Sequence, residues 1–469
     1  MTELTLEVAG AEGALREPRR VHFVSLGCPK NLVDGEVMQG LLVRDGHRLV
    51  LDPAQADVLV VNTCSFIDEA KEESIDAILD LARFKRPGGA RSLIVTGCLA
   101  ERYGETLRES LPEVDVFVGT GDFMKLAELL DGRPVRPTYV GAQHVLPPPE
   151  ATRVQLTPFY TSFLKIAEGC NRTCSFCIIP RIRGRQESRA VASLVEEAKR
   201  LAENGVKELN LIAQDLTNYG HDRDDGATLD RLLDALLEVE GIEWFRLLYM
   251  YPQHVSDGLL RTIARERRIC SYLDMPLQHA SERMLRAMRR GREGAAQRLR
   301  ELVARIREAI PDVVLRSSFI AGFPGESEAD FEELVRFLEE TQFDRVGVFR
   351  YSQEEGTAAA RLEDQLPDEL KEARRRRLMG VQAAISRAKN SRLVGKTLPL
   401  LVCGENDAGR RWGRTPGQAP EIDGVTWLAR SAPSRSPAVG EIVPVQIRRA
   451  GTYDIEGALA TSERFTDPG

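Results

Sequence analysis

Three closely spaced cysteines, Cys170, Cys174 and Cys177, lie in the stretch KIAEGCNRTCSFCIIPRIRGR. They follow a predicted strand as C-x-x-x-C-x-x-C, and such a loop can turn three thiolates towards one metal centre. A structural zinc site needs a fourth ligand and usually pairs two C-x-x-C knuckles, but the sequence has no second knuckle nearby. The spacing therefore favours a four-iron cluster with one open iron, with a zinc loop or a group of buried thiols as the alternative.

Three further cysteines, Cys28, Cys64 and Cys98, are far apart in sequence but share one context. Each closes a predicted strand, in VHFVSLG-Cys28, DVLVVNT-Cys64 and SLIVTG-Cys98. The ends of parallel strands meet at one edge of a sheet, so these thiols are expected to converge there. We interpret them as a second metal site. Three separately buried thiols, or less readily a redox dithiol, are the alternatives.

The elements that must position these cysteines can be read from the apolar pattern. Residues 21–131 alternate Val- and Ile-rich runs with helical patterns, which predicts an open parallel sheet with helices on its faces. Residues 161–352 contain six such strand–helix repeats, which predict a partial parallel (βα)6 barrel with its site at the carboxyl ends of the strands. Residues 397–460 switch to short strands broken by Gly and Pro, which predict a small all-β barrel.

The chain is thus predicted to be an α/β protein with a small all-β barrel at its end. A Pro-rich stretch separates the first two blocks and is predicted to be a linker. The predicted boundaries are 19–135 for the N-terminal sheet domain, 136–160 for the linker, 161–390 for the central barrel with its helical connector, and 391–460 for the terminal barrel.

Composition limits the class of protein. The chain has 469 residues, of which 42% are hydrophobic, and 64 Lys and Arg against 71 Asp and Glu give a net charge of −7. This composition excludes a disordered chain and argues against bulk coating of nucleic acid. The first twenty residues contain acids and no apolar core, so we expect no secretory signal and a cytoplasmic location with reduced thiols. No run of 18 apolar residues occurs, so we expect no membrane-spanning helix.

The stretch from 165 to 185, in its strand context and with six strand–helix repeats, resembles the radical S-adenosylmethionine (radical SAM) superfamily. With the first domain and the terminal barrel added, the chain resembles the methylthiotransferases over residues 20–460. SLGCPKNLVDGE at 25–36, SYLDMPLQHAS at 271–281 and DRVGVFRYSQEEGTAAA at 344–360 resemble the branch that modifies a ribosomal protein. Gly35 departs from that pattern, which usually has Ser there, whereas tRNA enzymes usually read more like GCQMN near Cys28.

The resemblance implies methylthiolation of the β-carbon of an aspartate in small-subunit ribosomal protein S-twelve, with tRNA adenosine as the alternative substrate. It implies two 4Fe–4S clusters, the first on Cys28, Cys64 and Cys98 and the second on Cys170, Cys174 and Cys177. One S-adenosylmethionine would supply the methyl group, and another would be cleaved to a 5′-deoxyadenosyl radical. The terminal barrel would be a TRAM domain. The implied partners are the ribosomal protein and a reductant of the flavodoxin or ferredoxin type, with RNA contact not required.

The barrel also offers candidate contacts for S-adenosylmethionine: the resemblance favours the loop GFPGE after a strand, two residues end the strand ELNLIAQD, and Arg316 lies inside the fifth strand. The candidate contacts are Gln214, Asp215, Arg316, Gly322 and Gly325. Four of the five have a plainer interpretation: a helix cap for Asp215, a core ion pair for Arg316 and an ordinary turn for the two glycines of GFPGE. His279 fits a buried, hydrogen-bonded histidine better than a catalytic one. The basic stretch 180–189 fits substrate contact and simple solvation equally well.

Overall fold

The computed structural model describes residues 18–85, 89–90, 92–130, 136–142, 146–148, 151–429 and 436–460. The prediction made from the first twenty residues falls outside this part over residues 1–17, and residues 131–135 at the predicted domain boundary also lie outside it. By its internal contacts the chain divides into two units. The first contains the residues up to Pro158 together with Ala167–Arg172 and Ile178–Arg189, and the second contains the remainder.

The first unit is built on a six-stranded parallel sheet with the order β2-β1-β3-β4-β5-β6. Its strands are β1 (Arg20–Ser25), β2 (Arg48–Leu49), β3 (Val58–Thr63), β4 (Ser92–Gly97), β5 (Val116–Val118) and β6 (Thr138–Tyr139). Its helices are α1 (Pro29–Arg44), α2 (Asp68–Ala82), α3 (Cys98–Ser110) and α4 (Leu126–Leu130). Every residue of β3 is buried, because helices cover both faces of a parallel sheet.

Part of the predicted linker belongs to this first unit. β6 pairs with β5, and Val154 donates its amide to the carbonyl of Glu36 at 3.0 Å. The Leu156 amide donates to the Glu36 carboxylate at 2.7 Å. Proline cannot donate within a sheet, but it is tolerated beside an edge strand such as β6, which Pro137 precedes. Residues 136–158 therefore differ from a free linker wherever the structure describes them.

The chain next alternates between the two units over about thirty residues. β7 (Thr161–Lys165) belongs to the second unit. β8 (Ala167–Glu168), α5 (Ile179–Ile182) and β9 (Glu187–Ser188) belong to the first, where β8 and β9 form an antiparallel pair. The three-cysteine loop lies in this stretch, so Cys170 groups with the first unit and Cys174 and Cys177 with the second.

The second unit contains a six-stranded parallel sheet with the sequential order β14-β13-β12-β11-β10-β7. The added strands are β10 (Glu208–Ile212), β11 (Trp244–Leu247), β12 (Ile269–Asp274), β13 (Val314–Ala321) and β14 (Arg345–Arg350). The helices are α6 (Val191–Glu203), α7 (Leu229–Leu237), α8 (Asp257–Arg265), α9 (Glu282–Ala287), α10 (Ala295–Ala309), α11 (Glu328–Thr341) and the connector α12 (Asp368–Ser391). This order confirms the predicted partial (βα)6 barrel.

A closed five-stranded barrel ends the second unit. Its order is β15-β16-β17-β19-β18, with β15 (Thr397–Glu405), β16 (Arg411–Arg414), β17 (Thr426–Leu428), β18 (Ile442–Ala450) and β19 (Ile455–Leu459). Closure leaves no strand edge unpaired, and the apolar residues of alternate positions fill the interior. The small all-β barrel predicted for the end of the chain is therefore confirmed. In the described part of the chain, no helix has both the length and the apolarity needed to cross a membrane.

A buried ion network fastens this small barrel to the parallel sheet of the same unit. Glu208, the first residue of β10, accepts hydrogen bonds from Arg246 of β11 at 2.9 Å and from Arg414 of β16 at 2.9 Å. All three side chains are buried. Burial alone would raise the pKa of Glu208, but the two guanidiniums lower it to about 2. The carboxylate therefore stays charged and binds both domains of the unit.

Replacing Arg414 by Met should reduce the free energy of unfolding of the second unit by about 3 kcal/mol, because Glu208 loses one of its two buried cations. The matched control is Arg411→Met in the same strand. Its ion pair with Glu405 is partly exposed, so we expect a loss below about 1 kcal/mol. Urea unfolding followed by tryptophan fluorescence measures both variants, since all three tryptophans lie in this unit.

Arg414→Met should also change how the free energy of unfolding depends on pH in the acid range. The pKa of Glu208 is lower in the folded chain than its ordinary value of 4.5, so its stabilising contribution is complete above about pH 4.5 and is lost as the pH falls towards 2. Arg414→Met should weaken this loss of stability on acidification. An equal acid slope in the variant and the unaltered protein would contradict the assigned role of the network.

Candidate functional site

The three dispersed cysteines lie at one edge of the first sheet. β1, β3 and β4 are neighbours, and Thr63 is paired with Gly97 in the ladder. Cys64 and Cys98 directly follow these paired residues, so they end adjacent strands about 4.8 Å apart. Cys28 follows β1, which pairs with the other side of β3. The expected convergence at the strand ends is thus present, and the role of these thiols as metal ligands stays a prediction.

Two glycines allow the strand ends to approach so closely. Gly27 has φ +90°, and a β-carbon there would lie 2.6 Å from the β-carbon of Cys64. Gly97 has φ +93°, and a β-carbon there would lie 2.5 Å from the carbonyl oxygen of Thr63. Any larger residue would be strained in conformation and would collide with the neighbouring strand. The residue before Cys28 and the residue before Cys98 must therefore be glycine.

Helix ends and a serine fix the thiols further. Cys28 is the N-cap residue of α1, and Cys98 is the first residue of α3. Cys64 donates its amide to the Ser74 hydroxyl of α2 at 3.0 Å. These features hold the backbone of all three cysteines in place.

Arg183 enters the same cluster of thiols and was not singled out by the sequence. Its side chain is 2% exposed and donates to Cys98 Sγ at 3.3 Å and to the Asn31 amide oxygen at 3.1 Å. It also donates to the carboxylates of Asp34 at 2.5 Å and Glu168 at 3.3 Å. All of these residues belong to the first unit. The sequence signal was weak, because Arg183 stands in a basic stretch that fits a solvated loop as well.

Burial opposes ionisation of two of the thiols in the absence of a metal. It raises the pKa of Cys98 to about 12, with Arg183 acting in the opposite direction, and it also raises the pKa of Cys64. Cys98 packs against Ile178 and Ile182. A soft metal centre supplies the positive charge that such buried thiols need in order to become thiolates. The donor set therefore fits an iron–sulfur cluster.

In the described ranges, no three side chains of His, Cys, Asp or Glu lie close enough together to hold one metal ion. A four-iron cluster binds each thiolate through a different iron, so its ligands lie farther apart than the ligands of a single ion.

Each part of the three-cysteine loop is held by its own unit. In the first unit, the Cys170 amide donates to the Gly184 carbonyl at 3.1 Å, and the Arg172 amide donates to Cys170 Sγ at 3.4 Å. In the second unit, Arg290 donates to Cys174 Sγ at 3.7 Å. Hydrogen bonds to sulfur stabilise thiolate ligands of iron–sulfur clusters.

The predicted S-adenosylmethionine contacts lie in the second unit, at two levels of its sheet. Gln214 and Asp215 follow β10, where Asp215 is buried and accepts the Thr217 hydroxyl hydrogen at 2.8 Å. Arg316 lies near the start of β13 and donates to Asp274 at 2.7 Å. Arg316 therefore forms an ion pair, as its plainer interpretation from the sequence predicted. A contact of any of these residues with S-adenosylmethionine stays a prediction.

The two glycines of GFPGE have packing roles of their own. Gly322 has φ +78°, and a β-carbon there would lie 2.4 Å from the Lys371 side chain of α12. Gly325 has φ +75°, and its nearest neighbours on that side are Asp364 and Arg283. Positive φ and close packing thus already require glycine at 322. A contact of either glycine with S-adenosylmethionine also stays a prediction.

Beneath this loop lies a buried polar group. Glu326 accepts the amide of Gly322 and lies 3.5 Å from His279 Nε2 and 3.4 Å from Arg374. His279 is fully buried, and its Nδ1 accepts the Ser281 amide at 3.0 Å. His279 is thus a core histidine, as the sequence favoured, but among the described residues only its Nδ1 has a hydrogen-bond partner, and its Nε2 has none.

Sequence reasoning missed Asp274, which organises the strand ends of the second sheet. It is 1% exposed, accepts from Arg316 through Oδ1, and accepts the Tyr249 amide through Oδ2 at 3.1 Å. Tyr249 has φ +63°, a conformation that is uncommon outside glycine. The signal available in sequence was a lone aspartate closing an apolar strand in SYLDM.

Three family profiles match separate parts of the chain: uncharacterized protein family UPF0004 over residues 20–119, the radical SAM superfamily over residues 164–338, and the TRAM domain over residues 394–459. A ribosomal protein uS12 methylthiotransferase RimO from Anaeromyxobacter sp. (strain K) is 50% identical over 446 residues, covering 95% of this chain and 94% of that protein. The chain belongs to the RimO family. The resemblance drawn from its motifs is confirmed.

Another member of the RimO family, from Geobacter sulfurreducens, is 47% identical over 445 residues, covering 94% of this chain and 98% of that protein. Among solved structures, the radical S-adenosylmethionine methyltransferase TsrM from Kitasatospora setae, with cobalamin and a 4Fe–4S cluster bound, matches with a TM-score of 0.53. It is 15% identical, and the match covers 71% of this chain and 75% of TsrM. This likeness supports the fold alone.

Proposed function

We propose that this chain transfers a methylthio group to ribosomal protein uS12, the S-twelve protein of the small subunit, at the β-carbon of an aspartate. The observation that carries the proposal is the set of three thiols at the adjoining ends of β1, β3 and β4, in a chain that also has the C-x-x-x-C-x-x-C loop of a radical SAM enzyme. In this proposal the triplet Cys170, Cys174 and Cys177 serves hydrogen abstraction, and the triplet Cys28, Cys64 and Cys98 serves sulfur delivery.

In this proposal Cys170, Cys174 and Cys177 hold one 4Fe–4S cluster, and Cys28, Cys64 and Cys98 hold another. When bound, the cluster on Cys170, Cys174 and Cys177 would supply, together with S-adenosylmethionine, the one-electron cleavage that removes hydrogen from the substrate carbon. The chain holds Cys170 in place through the Gly184 carbonyl and directs N–H groups of Arg172 and Arg290 at sulfur. Such N–H groups would stabilise the sulfur ligands of a bound cluster by hydrogen bonding.

Binding of S-adenosylmethionine is assigned to the strand ends of the second unit. Gln214 and Asp215 follow β10, and Gly322 follows β13, so all three stand at the carboxyl edge where barrel enzymes bind ligands. Arg316, near the start of β13, and Asp274, at the end of β12, form a largely buried ion pair that joins these two neighbouring strands. In this proposal the pair positions the edge, and Gly322 and Gly325 give the loop after β13 its shape.

The preference for a ribosomal protein is supported by the stretch SLGCPKNLVDGE. Its polar members serve the interior of the first unit: Asn31 donates to the Leu26 carbonyl at 2.7 Å, and Asp34 binds Arg183. The stretch therefore acts through the architecture around the thiols rather than as an exposed contact surface. The terminal barrel offers little excess positive charge for RNA binding, since residues 392–459 contain nine basic and seven acidic side chains.

Mass spectrometry tests the proposed function directly. Anaerobically purified protein, with iron and sulfide restored, is incubated with uS12, S-adenosylmethionine and a flavodoxin-type or chemical reductant. We expect one peptide of uS12 to gain the mass of CH2S at an aspartate, and unmodified tRNA added in parallel to remain unchanged. Gain of that mass on a tRNA adenosine and not on uS12 would overturn the proposal in favour of a tRNA methylthiotransferase.

A further inference from the structure

Arg183 is a buried cation whose partners are unusual for a structural arginine. One terminal nitrogen, Nη1, donates to Asp34 at 2.5 Å and to Glu168 at 3.3 Å. The other, Nη2, donates to Asn31 at 3.1 Å and to Cys98 Sγ at 3.3 Å. The guanidinium is therefore shared between two carboxylates on one side and a candidate metal ligand on the other.

Through Asn31 the same guanidinium reaches the strand ends that carry the other two thiols. The Asn31 amide donates to the Leu26 carbonyl at 2.7 Å and to the Thr63 carbonyl at 3.2 Å. Leu26 lies two residues before Cys28, and Thr63 directly precedes Cys64. One network thus contacts the sulfur of Cys98 and the backbone just before Cys28 and Cys64.

A purely structural role for Arg183 would leave this placement unexplained. The segment 178–189 has other anchors in the first unit: the Thr120 hydroxyl donates to the Ile182 carbonyl at 2.6 Å, and Ile178 and Ile182 pack against Cys98. Burying a guanidinium and two carboxylates costs desolvation energy that apolar residues would avoid. What the guanidinium adds beyond these anchors is a positive charge and an N–H donor at Cys98.

We infer that Arg183 is a positioning residue that holds Cys98 and raises the reduction potential of an iron–sulfur centre on Cys28, Cys64 and Cys98. The inference rests on the proposed function, because it assumes that these thiols carry a cluster. Reduction adds negative charge to a cluster, so a hydrogen bond to a ligand sulfur and a nearby cation favour the reduced state. Asp34 partly neutralises that cation and so acts in the opposite direction.

The test measures the midpoint potential of this centre alone. The parent is the full chain with Cys174→Ala and Cys177→Ala, which removes the second centre. In this parent we expect Arg183→Gln to lower the midpoint potential and Asp34→Asn to raise it. Arg183→Lys keeps the charge but cannot span all the partners, so its potential should fall between those of the parent and Arg183→Gln. Redox titration followed by electron paramagnetic resonance gives each value.

Opposite shifts for Arg183→Gln and Asp34→Asn support the inference, since loss of packing alone would not change sign with the charge removed. Unchanged potentials in both variants, with iron content equal to the parent, would overturn it and leave the proposed function standing. If Arg183→Gln fails to fold, the nearly isosteric Asp34→Asn variant provides the test. A midpoint potential equal to or lower than that of the parent would then refute the inference. A parent that binds no iron would refute both the inference and the two-cluster proposal.

Discussion

Cys174→Ala should abolish the formation of 5′-deoxyadenosine from S-adenosylmethionine, a fall of at least about a thousandfold. The cluster proposed at Cys170, Cys174 and Cys177 would lose one of three ligands, and without its open iron no electron reaches the sulfonium. We expect iron to fall from about eight to about four per chain. Chromatography of the nucleoside product and iron analysis measure the two effects.

The matched control is Cys270→Ala. Cys270 is also a buried thiol of the second unit, but it lies within β12 and belongs to neither triplet. This variant should keep its iron and form 5′-deoxyadenosine within about twofold of the unaltered protein. Undiminished 5′-deoxyadenosine formation by Cys174→Ala, or an equal loss in both variants, would show that the loop is not the site of cleavage.

Cys64→Ala should separate the two halves of the chemistry. It should retain measurable 5′-deoxyadenosine formation, because the second triplet is intact, and it should lose methylthio transfer to uS12 by at least about a hundredfold. The reason is that Cys64 stands between the strands that carry Cys28 and Cys98, so its loss removes the central ligand of the first proposed centre. Mass spectrometry of uS12 and quantification of 5′-deoxyadenosine in the same reaction provide the comparison.

Ser65→Ala is the control for Cys64→Ala, because it removes a buried polar atom at the adjacent position and no thiol. It should leave methylthio transfer within about threefold. Normal methylthio transfer by Cys64→Ala would contradict a second cluster and reduce the three converging thiols to buried core residues.

The scaffold of this chain was predictable because each element carries a local signal. Val- and Ile-rich runs such as DVLVVNT mark fully buried parallel strands, and the position of each cysteine after such a run predicted which edge the thiols share. The switch to short Gly- and Pro-punctuated strands after residue 397 predicted the closed terminal barrel.

The polar partners around the thiols were not predictable, because they carry no such local signal. Arg183 and Asp34 are 149 residues apart in sequence, and nothing in the local composition of either indicates a shared buried contact. The Glu208–Arg414 pair spans 206 residues, and its members look like ordinary surface charges until the fold buries them. Long-range pairing of charges depends on the tertiary arrangement, which periodicity does not encode.

The first unit is formed from three separate stretches of the chain, which limits how the protein can be divided into fragments. An excised fragment that stops at Pro158 would lack Arg183 and Glu168, so the buried Asp34 carboxylate would lose its contact with the Arg183 guanidinium. A chimera that exchanges this fragment between relatives would likewise mix donors and acceptors of one network. The sheet with its thiols and the short downstream insert must therefore be transplanted together.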